Sequence, residues 1–153
     1  MRARVATAIG ATLALIGALV PWSTISLEPI AGLRGDSTEA TGISSGAGGW
    51  PLFVLVATLV VFTLILVTAA APAAPRSVVL VAALGAAWGA TRIVSLAGRV
   101  SDIDDPTFNV QASMSWGPWV YLAGCALALT GAALVGLLQS RRRNDDEGEE
   151  SWQ

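Results

Sequence analysis

Histidine and lysine are absent from this chain of 153 residues, cysteine and tyrosine occur once each, and only 13% of the residues are charged. Each scarcity excludes something. Without histidine the chain lacks the commonest general base and the commonest neutral metal ligand. With Cys125 alone no intrachain disulfide can form, so any external loop must hold its shape without that staple. A soluble domain is about a quarter charged; this chain has about half that share, which points to a membrane protein. The nine basic residues are all arginine. Base composition of a GC-rich genome accounts for that, and so would a need for bidentate anion contacts. The only basic cluster, Arg141 to Arg143, follows directly on an apolar run, which gives no footing for nucleic-acid binding.

What the chain has in quantity is apolar surface, at 54% of residues. Crossing a bilayer core of about 30 Å takes about 20 apolar residues in a helix. Four segments qualify: about 5–22, 50–70, 77–98 and 117–138. Backbone polar groups in lipid must bond internally, so these are helices, and they are too uniform to be the alternating strands of a barrel. The sequence therefore predicts an all-α membrane protein. It is a bundle of four transmembrane helices over residues 1–140, with external loops at 23–49 and 99–116 and a disordered cytoplasmic tail over 141–153. The opening "MRAR" resembles the start of a secretory signal, but no small-x-small cleavage site follows the apolar core. The segment ends in Val20-Pro21-Trp22, and a retained helix is expected.

Arginine sets the orientation. Arg2, Arg4, Arg76 and Arg141 to Arg143 fall on one side of the four spans, which is expected to be the cytoplasm, with both termini there. Arg34, Arg92 and Arg99 lie toward the other side. Trp22, Trp50, Trp116 and Trp119, four of the six tryptophans, fall at the outer helix ends. Tryptophan favours the headgroup level, so they form an aromatic belt or, recruited together, a binding platform. Loop one opens with "STISLEPI", alternating β-branched and polar residues, and continues with "TEATGIS". A small extracytoplasmic cap, with a short β-hairpin, is expected from it.

Helix packing is read from small residues at every fourth position. Ala6, Gly10, Ala14 and Ala18 form one stripe, Gly85 and Gly89 another, and Gly124, Ala128, Ala132 and Gly136 a third. The second helix is rich in Leu, Val and Phe. Helices one, three and four are expected in close contact, with much of helix two facing lipid; the same stripes would equally serve a dimer face.

Arg92 lies inside an apolar run, in "GATRIVSLAGR", and Arg99 follows seven residues later, about 10 Å along a helix. An intramembrane charge is a functional candidate by default. At this shallow depth Arg92 is expected to snorkel outward or to pair with Glu28 of loop one or with Asp102, Asp104 and Asp105 of loop two, anchoring the cap; an anionic-lipid site, a substrate site and a transport role are the alternatives. The aspartates have the D-x-D-D start of a calcium loop, but positions six and twelve are Thr107 and Ser113 where glycine and glutamate are needed. The acidic loop is therefore read as solvated. No metal, cofactor or catalytic residue is assigned.

A helix ending in Pro21-Trp22, a Ser/Thr/Gly-rich loop, re-entry through Thr41-Gly42 and Gly48-Gly49-Trp50, two more helices and a charged tail resemble a known layout. It is that of the small, largely uncharacterised four-helix membrane proteins of actinobacteria, including the Trp-associated transmembrane type. The resemblance implies a plasma-membrane protein serving the cell envelope, and brings no catalytic residues. A looser likeness in shape is to the claudins, whose first loop carries a cysteine pair that this chain lacks. The expected role is a non-enzymatic accessory or scaffold subunit that meets membrane lipids and a protein partner or further copies of itself. The alternative is a small oligomeric transporter or lipid-binding protein.

Overall fold

The computed structural model describes residues 2–27, 37–43, 49–68, 73–103 and 110–150. The order of elements is α1 (Arg2–Leu19), β1 (Pro21–Leu27), β2 (Ser37–Thr41), α2 (Gly49–Thr68), α3 (Ala74–Ile103), β3 (Val110–Met114) and α4 (Gly117–Glu150). All four helices are long and apolar enough to cross a membrane.

Proline and glycine set the helix ends. Proline is tolerated in the first turn, where its missing N–H has no partner to lose; Pro51, Pro75 and Pro118 each sit there in α2, α3 and α4. Gly49 opens α2 at φ 66°, a left-handed backbone that side chains disfavour. Pro21 stops α1, so this helix ends at Leu19 and not at Trp22 as expected, and Pro21-Trp22 begin a strand instead. Two helices run past their expected bounds. Helix α3, at 30 residues, continues to Ile103, taking in residues 99–103 that were expected as loop. Helix α4, at 34 residues, continues to Glu150, where a disordered tail was expected. Extending a formed helix needs no new nucleus, and the added arginines and glutamates are good helix formers.

The strands form one antiparallel sheet in the order β2-β1-β3. The expected hairpin is present, with Thr24 opposite Glu39 and Ile25 opposite Thr38. The third strand comes from loop two, with Thr24 opposite Ser113 and Ile25 opposite Ala112. Both long connections at this end of the bundle are therefore joined through β1, and the Ser115 N–H donates to the Trp22 carbonyl at 3.0 Å just beyond the paired register.

Each helix packs on two neighbours. Helices α1 and α3 both pack on α4 from either side, and α2 closes the ring by packing on both. The expected mutual contact of helices one, three and four is thus corrected: α1 and α3 lie diagonally, and α2 separates them on one side as α4 does on the other. The α1–α4 seam is the tightest. A methyl group added at Gly10 would overlap the Ala128 backbone, and one at Gly124 the Ala14 backbone. That proximity is what small residues permit in a membrane, where helices gain little from excluding water and must gain from contact. Helix α2 buries Leu52, Val56, Leu59, Thr63 and Leu66, a four-three-four-three spacing that makes a single stripe. Its Phe53, Val54, Val61, Leu64 and Val67 stay exposed, as a helix apolar on every side does when lipid is its solvent.

Candidate functional site: the anchored sheet end

Pro21 creates the local problem from which this site is built. In a continuing helix the Gly17 carbonyl would accept from the N–H four residues on, and that residue is Pro21, which has none. The indole Nε1–H of Trp22 donates to that carbonyl at 2.8 Å. The Pro-Trp pair thus ends α1 and repays the lost hydrogen bond within two residues. To do so Trp22 turns inward and is 0% exposed.

The pocket around the indole is cut from glycine. A methyl group at Gly42 would come within 2.5 Å of Nε1, and one at Gly117 within 2.9 Å of the indole ring. Gly42 follows β2 and Gly117 begins α4, so one side chain joins α1, the sheet and α4. The Trp22 ring also meets Tyr121, with centroids 5.7 Å apart and planes tilted by 52°, within the range of favourable aromatic pairs. Tyr121 carries the connection on: its hydroxyl donates to the Gly85 carbonyl of α3 at 2.9 Å. That carbonyl has a second lone pair for this bond. A methyl at Gly89 would approach the tyrosine ring to 2.5 Å, so Gly85 and Gly89 form the slot in which the phenol lies. Gly17, Trp22, Tyr121 and Gly85 make a continuous contact across three helices, from the end of α1 into the middle of α3.

The remaining tryptophans of this end behave differently. Trp50, Trp116 and Trp119 are exposed at 73%, 56% and 59%. Trp50 stacks on Phe53, with ring centroids 5.2 Å apart. The aromatic belt read from sequence is corrected at one position: three tryptophans are placed on the surface, while Trp22 is a core residue, because only burial lets its N–H reach the orphaned Gly17 carbonyl.

Arg92 is half-buried, and its guanidinium carbon lies 4.9 Å from the centre of the Trp88 ring, one turn back on α3. A guanidinium over an aromatic face is attracted by the ring quadrupole, most strongly where water is excluded. This contact was not read from the sequence, although Trp88 and Arg92 have the four-residue spacing that places side chains together on a helix. Arg99 and Asp102 are exposed farther along α3. Glu28, Asp104 and Asp105, the other expected partners, lie outside the described residues.

Most threonine hydroxyls of the helices bond to their own helix backbone. Thr7, Thr12, Thr58, Thr68 and Thr130 each donate to the carbonyl four residues earlier, at 2.7 to 3.0 Å. Thr91 bonds three residues back, to Trp88, at 2.7 Å. Thr63 differs: it is 4% exposed and its hydroxyl has no hydrogen-bond partner. Cys125 is a buried free thiol beside Tyr121 on α4. Among the described residues no three histidine, cysteine or acidic side chains come together as a metal-binding group. Comparison with protein-family models and with curated proteins gave no match to this chain.

Proposed function

We propose that this chain is a multi-pass protein of the bacterial plasma membrane, with both termini cytoplasmic and the sheet on the outer face. In this reading it is a non-enzymatic accessory or scaffold subunit associated with the cell envelope. The asymmetry of arginine supports the orientation: the ends of the helices away from the sheet carry Arg2, Arg4, Arg76 and Arg141. The observation that carries the role is the Trp22–Tyr121 anchor, which seats a sheet made from both outer loops firmly on the bundle. A preorganised surface costs little conformational entropy when it binds, which suits a docking face. Trp50, Trp116 and Trp119 around it supply the aromatic groups that interfaces favour. Membership of the Trp-associated transmembrane class belongs to the same proposal, with Pro21-Trp22 as its structural signature.

The transporter reading has less to draw on. The four apolar segments contain no carboxylate, which proton-coupled carriers usually need, and most of their threonine hydroxyls are already bonded to their own helices. In-cell crosslinking followed by mild-detergent pulldown and mass spectrometry tests the proposal. The expected result is a specific envelope or membrane partner crosslinked through residues 37–41 or 110–116 and weakened when Trp116 and Trp119 are replaced by alanine. Recovery of a monodisperse monomer with no crosslinked partner would overturn it.

A further inference from the structure

Two apolar grooves flank α4 at the end of the bundle away from the sheet, and each includes one arginine. The larger, about 810 Å³, is lined by α1, the end of α2 and α4, with Arg4 and Gln139 beside Ala8, Thr12, Val67 and Leu138. The smaller, about 600 Å³, is lined by α3 and α4, with Arg76 beside Val79, Leu80, Ala83 and Leu137. Volumes of about 300–1,000 Å³ are those of small-molecule sites.

The distribution of polar groups in the larger groove matches a lipid and not a water path. Arg4 lies in the first turn of α1, and Gln139 follows the last leucine of α4. Deeper along α1 come Ala8, Ile9 and Thr12, and the Thr12 hydroxyl already donates to the Ala8 carbonyl at 2.9 Å. A polar molecule would find no free donor there; a hydrocarbon chain would lose nothing. Exposed Arg2 and Arg141, each two residues from Arg4 and Gln139, add positive charge to this end of the bundle, whereas the acidic run of α4, Asp145 to Glu150, begins about 9 Å beyond Gln139 along its axis. A guanidinium is the side chain best shaped to take a phosphate with two parallel hydrogen bonds.

We propose that the larger groove binds an anionic phospholipid of the cytoplasmic leaflet, its phosphate against Arg4 and one acyl chain along Ala8, Thr12 and Val67. The leaflet rests on the orientation proposed above; the binding does not. The smaller groove, on the other side of α4, has Arg76 as the one polar side chain of its lining and is not part of this site.

Native mass spectrometry of the full chain in mild detergent, titrated with phosphatidylglycerol or phosphatidylcholine, tests the site without reference to orientation. The wild type should retain phosphatidylglycerol at least about 5-fold better, and Arg4→Gln should bring that ratio below about 2-fold. Arg4→Lys should keep at least about half of the preference, since lysine also binds phosphate as a point charge. Ala8→Phe, which fills the groove, should lower retention of both lipids. Arg99→Gln, at the sheet end, should change nothing. No preference in the wild type, a preference that survives Arg4→Gln, or an equal loss in Arg99→Gln would overturn the proposal. If Arg4→Gln is not recovered folded, Arg4→Lys and Ala8→Phe decide it. A separate accessibility assay, labelling a cysteine placed at residue 3 in a Cys125→Ser background with an impermeant reagent in intact cells, reads the orientation. Labelling from outside would overturn the topology and the leaflet named here, and leave the lipid result to stand or fall by itself.

Discussion

The two ends of the bundle hold together by different physics. At the sheet end, specific directional contacts join the elements: the Trp22 N–H on the Gly17 carbonyl, the Tyr121 hydroxyl on the Gly85 carbonyl, and a three-stranded ladder between two loops. Toward the far end the α1–α4 contact is a seam of Gly and Ala, and grooves open on both sides of α4 where side chains do not fill the space. In the membrane reading proposed above, the difference follows from solvent. Where water competes, a sheet needs an anchor with satisfied polar groups to stay in one place. Within lipid the backbone is already satisfied, and close approach alone is enough.

The contrast yields predictions in decreasing order of effect. Trp22→Ala should lose about 3–5 kcal/mol, the cost of removing a large buried aromatic, with the orphaned Gly17 carbonyl adding to it. Trp50→Ala should cost under about 0.5 kcal/mol as a surface change. Thermal or SDS unfolding in detergent measures both, and equal losses would erase the distinction between anchor and rim. Gly124→Leu should come next, because the added side chain meets the Ala14 backbone, which cannot step aside. Overpacking of this kind costs about 1–3 kcal/mol or more, and it should also loosen α1 from α4, seen as faster amide hydrogen exchange along both helices. Tyr121→Phe keeps the ring in its slot and removes one hydrogen bond between helices, for which about 0.6 kcal/mol is the average in membranes. Thr63→Val should be neutral or stabilising by up to about 1 kcal/mol, because it replaces a buried unpartnered hydroxyl with a methyl of the same shape. A clear loss of stability in Thr63→Val would mean that this hydroxyl has a partner in the membrane.

The rim and the arginines sharpen the comparison from the functional side. Replacing Trp116 and Trp119 with alanine should leave unfolding unchanged while weakening partner capture. Arg4→Gln should leave partner capture unchanged while losing the anionic lipid. A variant that moved both readouts would mean that the two ends are coupled through α4.

Much of this was legible in the sequence, and the limits are physical. The four apolar runs, the hairpin in loop one and the small-residue stripes on α1 and α4 are local patterns, and each maps onto an element or a contact. Strand β3 was missed because "VQASM" has little pattern of its own, and it becomes a strand by pairing with β1 across more than 80 residues of chain. Trp22 was misplaced because a tryptophan at a helix end suits the headgroup region as well as it suits the core. The one usable signal was Pro21 beside it, which leaves the Gly17 carbonyl without its helical partner. The Arg92–Trp88 contact has the four-residue spacing of one helix face, a local signal that the acidic partners in the loops do not share.

What the sequence alone determined is that there are four helices long and apolar enough for a bilayer and about where each starts, because that depends on runs of apolar residues and on where proline and glycine open them; the far ends of α1, α3 and α4 fell elsewhere than expected. The tertiary structure alone decided that α2 and α4 separate α1 from α3, that both loops share one sheet, and that one tryptophan of four is buried. Those outcomes depend on which surfaces meet, and a stripe of small residues records that a helix is approached closely without recording by which neighbour.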